Sequence, residues 1–269
     1  MKKKVLTLAM IALGASALSA CSPAKDSNTA TATRSDEQIG QIAAQYIIDH
    51  PEVLIKASQK LQQQEMEKQT AQLKQTVLDN SQKIINDPLT PVVGPKDAKV
   101  TVVEFFDYQC AVCHQAYSVV EQLMKNNPGV RFVFKEFPIF AQRWQASGYA
   151  AEMGMYAYQQ GGSKLYIQYH DAVFASGKDE GALTVKDINS IATKLKIDIT
   201  KAEKEIKDGS LNGRVMSNLK FGLQTLQLRG TPAFIVMPTK GANLESTTVY
   251  PGYAPLPQLQ QAIDKATKA

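Results

Sequence analysis

The sequence predicts an α/β fold with a helical domain inserted into it and a helical arm in front of it. Three observations carry that reading. KVTVVEFF from Lys99, a helical stretch over 113–126 and VRFVFKEFP over 130–138 form a strand, helix and strand in about 40 residues, a βαβ unit that implies parallel pairing. Strand character then returns only at PAFIVM (232–237), after nearly 90 residues with helical signals alone. Residues 36–87 show helical periodicity with no strand signal. At 269 residues, 44% hydrophobic and 20% charged, the chain suits one or two domains with a sizeable core. This excludes a mainly disordered or disulfide-scaffolded chain. No apolar run reaches the roughly 18 to 20 residues a bilayer-spanning helix needs.

The amino terminus reads as targeting. Lys2, Lys3 and Lys4 precede an apolar stretch of 14 residues, Val5 to Leu18, which fits a signal peptide over 1–20. Leu18-Ser19-Ala20-Cys21 resembles the lipobox of bacterial lipoproteins, in which the cysteine is lipidated and becomes the first residue. The alternative is an ordinary cleaved signal with an incidental Cys21. The lipoprotein resemblance implies multiple acylation and, with Ser22 after the cysteine, the outer membrane. One acyl chain alone anchors only marginally. The leader holds three of the 30 bases and none of the 25 acids, so its removal lowers the net charge from +5 to +2. That mild balance gives no reason to expect nucleic acid as a partner.

Residues 21–35 are small and polar after the cysteine, and read as a flexible tether. Ser35-Asp36-Glu37 caps a helix in which Ile39, Ile42, Ala43, Tyr46 and Ile47 recur. Pro51 suits the first turn of a second helix, which could run to about Asn86 and be roughly 50 Å long. Its apolar stripe is thin, with the very polar LQQQEMEKQTAQ in its middle. Such a helix cannot bury its stripe alone, so 36–87 is read as an oligomerisation arm. A helix folded back on its own domain and a disordered spacer are the alternatives. Asp87-Pro88 to Pro95 reads as a hinge into a domain over 88–269.

That domain opens with the buried strand KVTVVEFF. Asn127-Pro128-Gly129 stops the helix that follows, and VRFVFKEFP is the next strand. The insertion, about 140–228, is read as Gly148 to Gln159, Lys164 to Phe174 after Gly161-Gly162, Val185 to Leu195 capped by Thr184, a short helix capped by Thr200, and Leu211 to Leu226. PAFIVM, a short strand in TTVYPG (247–252) and a helix from Leu256 to Lys265 close the chain. Tyr149, Tyr156, Tyr158, Tyr166 and Tyr169 are assigned to packing, some with the option of lining a groove. Trp144 is assigned to the core or a hinge, and the charges from Lys194 to Lys207 to a solvated face.

The chemistry sits at Cys110-Ala111-Val112-Cys113. Two cysteines three apart, after a buried strand and at a helix start, make a thioredoxin-like redox site. Unpaired N–H groups and the positive dipole end at a helix start favour thiolate. Cys110 is expected to be the exposed nucleophile and Cys113 the buried resolving thiol. A haem reading of CAVCH, a zinc site on Cys110, Cys113 and His114, and a purely structural disulfide are the competing readings. The haem reading explains neither the preceding strand nor the later Thr-Pro, and Cys110, Cys113 and His114 are too close together to form a zinc site alone. His50 and His170 read as surface or capped histidines. No cofactor and no metal site is expected. A second landmark is Thr231-Pro232, directly before a strand, where a cis bond would turn the Thr231 backbone toward the cysteines and an extended substrate chain.

VVEFFDYQCAVC, VFKEFP, the helical insertion and RGTPAF, in this order over residues 88–267, resemble the DsbA family of bacterial periplasmic thiol–disulfide oxidoreductases. HPEVLIKASQKLQ resembles the extension of its lipoprotein and oligomeric members. The resemblance implies a thioredoxin fold with an inserted helical domain, Cys110 as nucleophile and Thr231-Pro232 as the cis-proline loop. It implies that Glu104, on the strand, relays protons during exchange; a paired strand acid is the alternative. It also implies periplasmic location, reduced or misoxidised envelope proteins as substrates, and a membrane redox partner, a DsbB-like oxidase or a DsbD-like reductase. Two departures matter. Ala111-Val112 replaces the Pro-His of strong oxidases, which predicts a less oxidising pair unless His114 compensates. Thr231 resembles the isomerases of the family, and with a dimerising arm it tilts the expectation toward isomerase or mixed activity. A non-catalytic envelope lipoprotein or holdase chaperone is the alternative from another class.

Overall fold

A computed structural model describes residues 34–88 and 90–269. The expected signal peptide, Cys21 and most of the tether lie outside the described residues. The described residues divide into two units, one ending at Ala57 and one over Ser58–Ala269. In the first, α1 (Asp36–Asp49) begins at a capping box: the Gln38 N–H donates to Ser35 Oγ at 3.3 Å and the Ser35 N–H to Gln38 Oε1 at 3.1 Å. No residue of α1 is buried, and Ile39, Ile42 and Tyr46 stay about half exposed or more. His50 ends α1, Pro51 follows, and α2 (Glu52–Asp79) runs on into the second unit.

The helix expected to reach Asn86 instead breaks at Asn80. Asn80 Nδ2 donates to the Thr76 carbonyl at 2.8 Å, so the side chain competes with the helical ladder. A short α3 (Ser81–Ile85) follows, and its Ile84 and Ile85 are buried with Val77 of α2 in the core under the sheet. The end of the segment read as an arm is therefore part of the folded domain.

The sheet has five strands in the order β1-β3-β2-β4-β5. These are β1 (Val92–Val93), β2 (Val100–Phe106), β3 (Arg131–Glu136), β4 (Ala233–Pro238) and β5 (Thr248–Tyr250). β2 and β3 are parallel, joined by α4 (Ala111–Asn126), and the other three pairings are antiparallel. β2 is buried along its whole length, which is why it reads as an unbroken apolar run. Alternation then sorts the side chains. Val102, Phe106, Phe132, Phe134, Phe234 and Val236 face one core, with Cys110, Cys113 and much of the insertion. Val103, Phe105, Val133, Ile235 and Met237 face the other, with Val77, Ile84, Ile85 and Phe221.

The insertion departs from expectation in two places. Its first two helices, together α5 (Gln145–Phe174), are separated as expected at the glycine pair, where Gly162 takes a non-helical φ of 64° and ψ of −157° that only glycine tolerates readily. α6 (Val185–Lys194) is capped by Thr184 as expected, but α7 (Ile199–Lys207) is capped by Asp198 rather than Thr200. α8 (Ser210–Lys220) ends in a π-helical turn, Phe221–Thr225, where Gly222 lets the backbone lie against the Phe137 ring. α9 (Leu256–Thr267) closes the fold. No helix among the described residues is long and apolar enough to cross a membrane.

Candidate active site

The site is built where β2 ends. Asp107 turns the chain: its Oδ1 accepts the Gln109 N–H at 2.8 Å and its carbonyl accepts the Cys110 N–H at 3.1 Å. Cys110 is the N-cap of α4, with extended backbone and no side-chain cap. The first N–H groups of the helix are thus left for the sulfur. Cys110 and Cys113 are both reduced. The expectation of an exposed Cys110 is corrected: it keeps only 5% of its surface open, against 1% for Cys113. The covering element is the Thr231-Pro232 loop. The Thr231–Pro232 peptide is cis, and the Cys110 thiol donates to the Thr231 carbonyl at 3.4 Å.

The two thiols are driven apart in acidity. The Cys113 thiol donating to the Cys110 sulfur, the Thr231 side chain and the N–H groups of Val112 and Cys113 outweigh burial and bring Cys110 down to about 6. Burial first, and then the neighbouring Cys110, push Cys113 well above the ordinary thiol range. His114 does not take over the role of a histidine between the cysteines. Its Nε2 lies 2.9 Å from the Tyr108 carbonyl, which can only accept, so that nitrogen carries the proton.

Glu104 lies on β2 on the same sheet face as the cysteine cluster, opposite Phe134 of β3 and Phe234 of β4. It is buried, its Oε2 has no protein partner, and desolvation raises it to about 8. Two further buried acids were not foreseen. Glu136, diagonal to Glu104 across the β2–β3 pair, accepts the Tyr108 and Tyr166 hydroxyls at 3.1 and 3.0 Å on Oε1, and burial holds it well above the carboxylate range. Asp107 is raised by burial and lowered by its hydrogen-bond donors. The only sequence signal for either was a charge inside or beside an otherwise apolar strand. Tyr156, Tyr166 and Tyr169 are buried as packing residues, and His170 is buried among Phe106, Phe134 and Phe174 rather than at the surface. Among the described residues no cluster of three His, Cys, Asp or Glu side chains could hold a metal ion.

The thioredoxin family model, described as "Thioredoxin", matches residues 86–248. The chain belongs to the thioredoxin family. A second model, the N-terminal domain of copper resistance protein ScsC, matches residues 37–68, so the extension expected from the resemblance is also found. The crystal structure of BcfH from Salmonella enterica Typhimurium is similar at a TM-score of 0.75 and 37% identity, over 86% of this chain and 95% of that one. A thioredoxin-like oxidoreductase from Silicibacter pomeroyi DSS-3 is similar at 0.58 and 30% identity, over 70% of this chain and 98% of that one. The chain is also 31% identical over 145 residues to an Na(+)/H(+) antiporter, NhaA 3, of Salinispora tropica, a match over 54% of this chain. It spans about a fifth of the length of the curated relatives it matches, 21% of that antiporter. The thioredoxin fold with its inserted helices and helical arm therefore stands as expected.

Proposed function

We propose that this thioredoxin-family chain is an envelope thiol–disulfide oxidoreductase that forms and isomerises disulfides in secreted proteins. The observation that carries the reading is the placement of Cys110 as the N-cap of α4, with Cys113 in its first turn and the Thr231 carbonyl of a cis Thr231–Pro232 peptide 3.4 Å from the Cys110 sulfur. In oxidation, a substrate thiolate attacks the Cys110 sulfur of the Cys110–Cys113 disulfide. A mixed disulfide forms and Cys113 leaves as thiolate. A second substrate thiolate attacks the substrate sulfur, Cys110 leaves, and the pair holds the two electrons taken from the substrate. In isomerisation, reduced Cys110 attacks a wrong disulfide, and a substrate thiolate later displaces it. Glu104 gives or takes the proton of Cys113, and the Thr231 and Pro232 loop pairs with the extended substrate chain.

The same proposal extends to cellular setting. The chain is a lipid-anchored periplasmic protein, held through Cys21 at the outer membrane. It exchanges electrons with a membrane partner, oxidase or reductase, and assembles as a homodimer through its arm. The exposed Ile39, Ile42 and Tyr46, spaced three and four apart on α1, supply an apolar seam that α1 itself leaves uncovered. Light scattering of the mature chain with and without residues up to Ala57 tests this; an equal, monomeric mass per chain in both cases ends the dimer reading.

The activity itself is tested by comparing oxidation of a reduced substrate with rescue of a scrambled one, for the native chain and Cys110→Ala. Loss of both activities in the variant is expected. Retained protection of unfolded substrate with no exchange in the native chain would favour a holdase. Processing of reduced substrate alone would remove the isomerase half.

A further inference from the structure

We propose that Asp107 and Gln109 are positioning residues for Cys110: together they bolt the turn before the nucleophile to two separate parts of the helical insertion. The proposal rests on the reading of Cys110 as the exchanging thiol.

Asp107 reaches one part. Its Oδ2 accepts the Phe140 N–H at 2.9 Å and the Ser147 hydroxyl at 2.8 Å, at the entry to α5, while Oδ1 holds the Gln109 N–H. All three partners are donors, so the carboxylate form satisfies the set. Gln109 reaches the other part. Its Nε2 donates to the Leu183 carbonyl at 2.9 Å and its Oε1 accepts the Gly181 N–H at 2.8 Å. Its backbone carbonyl accepts the Glu180 N–H at 3.0 Å. Both side chains are fully buried, at 1% exposure or less.

The loop that Gln109 holds is not in a relaxed conformation. Glu180 has a φ of 44° and Gly181 a φ of 96°. A Cβ at Gly181 would lie 2.7 Å from Trp144 Nε1. A non-glycine residue at positive φ persists only where its surroundings over-determine it. Gln109 supplies three of the hydrogen bonds that do so, and it does this from the residue directly before Cys110.

The consequence falls on the sulfur. Cys110 has no side-chain cap, and its acidity leans first on the Cys113 thiol and then on Thr231 and the N–H groups of Cys113 and Val112, all placed by the first turn of α4 and the loop that faces it. Those bonds depend on how the turn delivers the Cys110 backbone to the helix. A change of a few tenths of an ångström there weakens charge-assisted bonds that a merely packed residue would not touch. The insertion, in this arrangement, is the frame that aims the nucleophile.

The test measures ultraviolet thiolate absorbance against pH, exchange rate and thermal stability in the reduced full-length protein. Gln109→Ala is expected to move the Cys110 titration up and to slow exchange about tenfold at a pH near 6, where the thiolate fraction changes most. Gln109→Met keeps most of the bulk, adds no charge and loses both side-chain amide bonds, so a shift in the same direction is expected; it also serves if the alanine variant fails to fold. Thr184→Ala is the control, since it uncaps α6 beside the same loop and touches neither Asp107 nor Gln109. An unshifted titration in both Gln109 variants overturns the proposal. A shift in Thr184→Ala as large as in Gln109→Ala overturns it too, because the effect would then report only a loosened insertion. Exchange surviving in Cys110→Ala would instead overturn the assignment of the nucleophile, independently of the titrations.

Discussion

The two faces of the sheet bury polar groups on different terms. On the face without the cysteines, Lys135 is 2% exposed and fully engaged, its Nζ 3.1 Å from Asp87 Oδ2 and 2.7 Å from Thr90 Oγ1. Arg131 on the same face donates to the Ile85 carbonyl at 2.9 Å. These contacts fasten the segment after α3 to the sheet. On the cysteine face, Glu104 and Glu136 are as deeply buried, yet each leaves one carboxyl oxygen with no protein partner. A satisfied buried charge holds a structure together, whereas an unsatisfied one raises energy and shifts acidity. The sheet therefore buries a paired charge on one face and partly unpartnered acids on the other.

The largest break in this contrast is expected at Lys135. Lys135→Ala removes one partner of a buried pair and leaves a void among apolar side chains, at a cost of about 4 kcal/mol. Lys135→Met keeps most of the volume and is expected to cost less than half as much. Denaturant unfolding of both variants checks this. Equal losses would mean that the ion pair, and not the packing of the lysine stem, carries the whole effect.

Glu104 is expected to show the opposite sign. In the folded chain it holds its proton up to about 8, while in the unfolded chain it ionises near its ordinary 4.5. Between those values the folded state binds more protons, so this group's contribution to stability falls as pH rises, and the full cost is present above about 8. Glu104→Gln is therefore expected to stabilise the protein clearly near pH 9 and by almost nothing near pH 4. The same variant is expected to slow exchange. Thermal melts at the two pH values, in the oxidised and reduced forms, measure the first effect. A gain at low pH as large as at high pH would remove the protonation argument.

This division of labour was only half legible in the sequence. The apolar run of β2, the cysteine spacing and the Thr184 cap depend on neighbours along the chain, and each could be read directly. Glu104 stood out only through the resemblance to the DsbA family, which implies a buried acid on this strand. Glu136 and Lys135 sit side by side in VFKEFP, and alternation places them on opposite faces, but their partners Tyr166 and Asp87 lie 30 and 48 residues away. Gln109 was silent for the same reason, since its amide meets Leu183, 74 residues on. The break at Asn80 was misread because a side-chain bond to the Thr76 carbonyl decided it against local propensity, whereas the interruption of α5 at Gly162 was legible from the glycine pair itself.

The smallest effect expected is at Tyr108, and it sharpens the contrast from the cysteine side. Tyr108→Phe removes one of the two hydroxyls that Glu136 Oε1 accepts and leaves the ring in place against Phe106 and Phe174. The phenol favours the ionised form of Glu136, but burial already holds that acid well above its ordinary range. One such bond is worth about 1 kcal/mol. Burial pushes Glu136 toward its protonated form, so a loss that stays level between pH 5 and pH 7 is expected. Urea unfolding at both values checks it. A loss that grows toward pH 7 would mean that Glu136 is ionised there, and that the cysteine face balances a charge as the Lys135 face does.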